Sequence, residues 1–95
     1  MFEWDPRKAK ANADKHGVPF DEAVTIFLDA DALDGPDLQH STDEPRFRRV
    51  GRSAEERVLM VVYTQRRAGD GETIRLISAR RASRQERTAY AQSED

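Results

Sequence analysis

The chain of 95 residues contains no cysteine, which excludes disulfides, thiolate-ligated zinc, iron–sulfur clusters and a thiol nucleophile. It has no continuous apolar run near the roughly 18 residues of a membrane span and no basic-then-apolar start, so a soluble, cytoplasmic protein is the expectation. Aromatic residues make up only 7% and hydrophobic residues 37%, so the interior is modest, as a chain of this length requires. Five glycines are present, but none sits in a lysine- and hydroxyl-bearing phosphate loop; no nucleotide or other cofactor is expected. The length fits one domain over residues 1–95.

Lysine is scarce too, and its distribution is informative. All three lysines precede residue 16, whereas 12 of the 13 arginines follow residue 45. Residues 1–45 carry four basic against 11 acidic side chains, a net of −7, and residues 46–95 carry 12 against seven, a net of +5. Guanidinium groups grip phosphates or carboxylates through paired donors, so an anionic partner fits the second half. The competing reading is that these arginines line a solvated surface and pair with the acidic half.

Phe2 and Trp4 alternate with polar neighbours, as in a short edge strand or an apolar anchor. Asp5 as N-cap, Pro6 at the first position and Gly17 after His16 predict a helix over 6–16. Ala23, Val24, Phe27 and Leu28 predict a second helix over Asp21 to Leu28. Asp29 to Pro45 is acidic and broken by Gly35, Pro36 and Pro45, a long connection with an extended piece near Leu33 to Leu38. Strands are expected over Arg46 to Val50, Val58 to Thr64 and Glu72 to Ala79, the second buried on both faces near the sheet centre. Arg66 to Gly71 provides a hairpin turn. Ser83 and Glu86 have capping-box spacing, starting a final helix that runs to Gln92. The order of elements predicts an α+β fold, a mainly antiparallel sheet packed with two N-terminal helices and one C-terminal helix.

Several side chains are candidates for chemistry. His16, beside Lys15 at a helix end, can exchange a proton near neutrality, although a helix C-terminus also simply favours its cationic form. His40 is a weaker candidate, and the two histidines lack zinc-site spacing, so no metal is expected. Arg46 and Arg48 share one strand face with Arg49 on the other, Arg75 lies on a later strand, and Arg80 and Arg81 stand at its exit. Ribonuclease chemistry without a metal needs cations on the phosphodiester, activation of the 2′-hydroxyl and protonation of the leaving oxygen. Tyr63, Tyr90, His16 and the acids are available for proton transfer, or else serve the core and the helix ends.

The joined pattern resembles a known family: Phe2-Glu3-Trp4-Asp5, Lys8, Asn12, Lys15-His16-Gly17-Val18, Phe20 and Ala23, then Val58 to Tyr63. It ends with Ile74-Arg75-Leu76-Ile77-Ser78-Ala79-Arg80, Ala82, Glu86, Arg87 and Tyr90. The chain resembles BrnT-family toxins of bacterial type II toxin–antitoxin systems, from Phe2 to Tyr90. The resemblance implies a RelE-like ribonuclease fold, inhibition of translation by RNA cleavage, and neutralisation by a BrnA-like ribbon-helix-helix antitoxin. It further implies an assembly of two toxins and two antitoxins in which operator DNA is bound through the antitoxin. Carried onto this sequence, it assigns proton transfer to His16, phosphate stabilisation to Arg75 and Arg80, and substrate positioning or proton transfer to Tyr90. Lys15, Arg46, Arg48 and Arg81 become RNA-binding residues and Glu86 an auxiliary one. Pro45 departs from the charged run that precedes the middle arginines in the family. The alternative is a noncatalytic interaction protein, or an operon corepressor acting through a DNA-binding antitoxin.

Overall fold

The structure is a computed structural model and describes residues 1–39, 43–69 and 71–93. Phe2–Glu3 forms β1. Helix α1, Pro6–His16, begins where the Asp5 carboxylate accepts from the Arg7 N–H at 2.8 Å. It ends at Gly17, whose φ of +69° lets its N–H bond the Ala13 carbonyl at 2.8 Å. The second helix divides: α2 covers Phe20–Ala23, and Val24–Leu28 is a 3-10 segment. Val24, Thr25 and Ile26 are β-branched, and the Thr25 hydroxyl donates to the Glu22 carbonyl at 2.6 Å, so a regular α-helix is disfavoured there.

Strands β2 (Leu33–Pro36), β3 (Phe47–Arg52), β4 (Val58–Ala68) and β5 (Gly71–Arg81) precede α3, Arg84–Ser93. The sheet order is β1-β5-β4-β3-β2, with β1 parallel to β5 and the other neighbours antiparallel. The expected turn over Arg66 to Gly71 is narrower than the sequence indicated. The ladder continues through Gln65↔Ile74, Arg66↔Thr73 and Arg67↔Glu72, and Gly69, at φ +62°, begins the reversal. Asp70, assigned to that turn, and His40, in the acidic connection, lie outside the described residues.

Alternation along β4 divides the core in two. Leu59 and Val61 pack with Val18, Phe20, Ala23, Ile26, Leu76 and Ala79 beneath α1 and α2. Met60 and Val62 face the other way, with Val50, Ala82 and Tyr90. Buried Asn12 fixes α1 to β5: its amide donates to the carbonyls of Val18 at 3.1 Å and Ala79 at 2.8 Å, and its oxygen accepts from the Ala79 N–H at 3.1 Å. The result is a small α+β domain with a mixed sheet and packed helices, consistent with a RelE-like fold.

Candidate active site

The sheet face turned away from α1 carries a groove of about 340 Å³. Its floor includes Met60, Val62 and Ile77, and Asp37, Gln39, Arg46, Arg48, Ser78 and Arg80 complete the lining. Ladder register explains how these side chains converge. On β3, Arg48 stands opposite Val62 and Val50 opposite Met60, all on the groove side. Arg49 therefore points to the helices, pairs with Asp34 at 3.0 Å and lies over the Phe27 ring. On β5, Ala79 enters the helix-side core while Arg80 turns to the groove. Val62 pairs with Ser78 and Tyr63 with Leu76, leaving Ile77 as an extra residue, a bulge that lets both Ile77 and Ser78 line the same face.

Glu86 organises the cations. Its carboxylate accepts from Arg80 Nη1 at 2.8 Å and Nη2 at 3.0 Å, from Arg48 Nη2 at 3.1 Å and from the Ser83 N–H at 2.8 Å. The Ser83 hydroxyl oxygen accepts from the Glu86 N–H at 3.1 Å, completing the capping box. Burial alone raises the pKa of Glu86, but the Arg80 hydrogen bonds and charge, with the Ser83 contacts, outweigh it and hold the carboxyl at about 2. One ionised side chain thus fixes two guanidinium planes at the groove wall.

The structure brings Arg46, Arg48, Arg80 and Glu86 together and disperses the other sequence candidates. Lys15 and His16 end α1, the helix that covers the opposite face. Arg81 alternates away from Arg80 to that same side, towards the Glu22 carboxyl, which the Arg57 hydrogen bond foremost, with a smaller contribution from the Arg81 charge, holds below its ordinary value. Arg75 pairs with Glu3 at 3.3 Å across the β1–β5 ladder. Tyr90 is buried against Val50 and Met60, and its hydroxyl donates to Asp29 at 2.6 Å. Of His16, Arg75 and Arg80, to which the resemblance assigns proton transfer and phosphate stabilisation, Arg80 alone lines the groove. His16 ends the helix over the opposite face, whereas Arg75, opposite Thr64, shares the groove's sheet face but stands outside its lining, paired with Glu3.

Asp37, Gln39 and Ser78 are the polar lining residues that the sequence reading missed. The Asp37 N–H bonds the Arg46 carbonyl at 2.8 Å, extending the β2–β3 ladder. The signal for Asp37 was the extended stretch Leu33 to Leu38: paired with the Arg46 strand, it places an acid beside the first groove arginine. Ser78 is aimed by the bulge, which no local pattern reveals. Among the described residues no group of three or more His, Cys, Asp or Glu side chains stands together to hold a metal ion.

Residues 4–86 match the family model for the ribonuclease toxin BrnT of type II toxin–antitoxin systems. No curated protein matches the chain by sequence. The crystal structure of the Brucella abortus ribonuclease toxin BrnT is similar in fold, with a TM-score of 0.63 and 23% identity, covering 88% of this chain and 99% of that one. With the family match spanning most of its length, the chain belongs to the BrnT family of ribonuclease toxins of type II toxin–antitoxin systems.

Proposed function

We propose that the chain is an endoribonuclease toxin that arrests translation in the cytoplasm by cleaving RNA without a metal ion, with the sheet groove as its active site. The observation that carries this reading is the convergence of Arg46, Arg48 and Arg80 on one groove, with Glu86 fixing the last two. A phosphodiester laid there meets preorganised donors, whose value is greatest where charge develops in the transition state. The 2′-oxygen attacks phosphorus as its hydroxyl proton passes to solvent, and the bond to the 5′-oxygen breaks. The leaving oxygen takes a proton from solvent, and the products are a 2′,3′-cyclic phosphate and a 5′-hydroxyl. Arg80 stabilises the pentavalent phosphorus, Arg48 and Arg46 hold the strand, and Glu86 is a positioning residue. His16 and Tyr90 stand outside this scheme.

In the same reading a BrnA-like ribbon-helix-helix antitoxin neutralises the toxin by covering the groove. Operator DNA is held through the antitoxin, in an assembly with two copies of each protein. No helix among the described residues is long and apolar enough to cross a membrane.

The test is cleavage of defined RNA by antitoxin-free protein in EDTA, with the end groups mapped. Cyclic phosphate ends, and a turnover about 10²- to 10³-fold lower in Arg80→Ala, are expected. Intact RNA beside folded protein that still arrests growth would instead support the noncatalytic interaction protein.

A further inference from the structure

The opposite face of the β4–β5 hairpin has a feature that the groove does not use. Helical cover on that face reaches Phe27, whose ring meets Tyr63 edge-on at 5.0 Å. Phe47 stacks on Tyr63 with centroids 5.6 Å apart and planes 27° apart. Tyr63 is buried, whereas Phe47 is only half-buried and borders a hollow of about 280 Å³ lined also by Pro45, Gln65, Arg67 and Glu72. Arg67 is exposed and, among the described residues, has no ion-pair partner, although Glu72 stands opposite it in the ladder. An aromatic ring on an uncovered sheet, flanked by a cation and an amide, is the chemistry that accepts an unstacked nucleobase.

We propose that this hollow is a second RNA subsite, in which one base of a single-stranded substrate stacks on Phe47 while Arg67 holds a flanking phosphate and Gln65 meets the base edge. The proposal rests on the reading of the groove as the RNA-cleaving site. Arg46 and Phe47 are consecutive and alternate across the sheet, so groove and hollow lie on either side of the start of β3, with Pro45 bordering the hollow. A strand leaving the groove beside Arg46 passes Pro45 to reach Phe47. A flexible single strand makes that bend and a duplex does not, so the subsite selects unpaired RNA.

The experiment measures fluorescence anisotropy of 2′-O-methyl RNA, which binds without being cleaved. The probes are a dinucleotide, a strand of about eight nucleotides, and the same strand with an abasic site moved along it. Phe47→Leu keeps apolar volume against Tyr63 and should weaken the longer strand about 5- to 100-fold while leaving the dinucleotide unchanged. Phe47→Trp, which restores a ring, should recover binding. One abasic position should cost the wild type affinity and cost Phe47→Leu nothing, and Arg67→Gln should weaken the longer strand alone. Wild-type affinity in Phe47→Leu, with binding weakened in Arg80→Ala, overturns the subsite and leaves the groove standing. Equal dinucleotide affinity in wild type and Arg80→Ala overturns the groove reading and, with it, this proposal.

Discussion

Glu86 is at once the reciprocal cap of α3 and the anchor of Arg48 and Arg80, so one side chain links helix start to groove electrostatics. Its pKa lies at about 2, below the ordinary 4.5, so ionised Glu86 stabilises the folded state fully above pH of about 4.5. That contribution is lost as pH falls towards 2. Urea melts should therefore show Glu86→Gln less stable than wild type by about 2 kcal/mol at pH 6, with the gap closing between pH of about 4.5 and 2. A gap that stays constant across that range would assign the loss to packing. Tyr90→Phe should lose about 1 kcal/mol through the Asp29 hydrogen bond and retain RNA turnover, because its hydroxyl lies away from the groove. Kinetics and denaturation on the same preparation check both halves. The Ser83–Glu86 cap was legible because both residues lie within one helical turn. The Tyr90–Asp29 contact was not, since it joins residues 61 apart whose meeting depends on how α3 lies on the sheet.

Helix α1 was legible nearly to the residue, since its start and stop are chemical signals confined to Asp5, Pro6 and Gly17. Gly17→Ala should cost about 1 kcal/mol, because an added Cβ strains φ of +69° even though nothing lies within 4 Å to clash with it. Asn12→Ala should cost more, about 3 kcal/mol, by leaving the N–H and C=O of Ala79 and the C=O of Val18 without their side-chain partner. Chemical denaturation ranks the two, and an Asn12 variant as stable as the Gly17 variant would contradict the role given to that amide. The second helix and the hairpin were less legible. β-branched residues on an apolar face mimic helical spacing but fold as a 3-10 segment, and charged residues with no need of burial resemble a loop while remaining in register. The parallel partner of β1 was invisible, because two residues carry no record of which strand they will join.

Across the whole molecule, the acidic first half and arginine-rich second half do not simply cancel. Glu3, Glu22, Asp34 and Glu44 of the first half take Arg75, Arg57, Arg49 and Arg66, while Arg48 and Arg80 share Glu86 at the groove. Composition announced the cations; only the three-dimensional ladder sorted those spent on the fold from those gathered at the groove. If three phosphates are held there, the logarithm of single-stranded RNA affinity should fall with the logarithm of salt at a slope of about −2, and Arg80→Ala should reduce its magnitude by about 0.7. Titrations at several salt concentrations read both numbers, and an unchanged slope would place Arg80 off the phosphate. The pairing of Phe2 with Ile74 and Glu3 with Arg75 has a further consequence for how the toxin is made. Residues early in this sequence border the sheet through a strand that follows them 72 positions later. A chain without β5 can wind α1 but cannot close its β1 edge or place Arg80, so the groove is complete only once that late strand has joined the sheet.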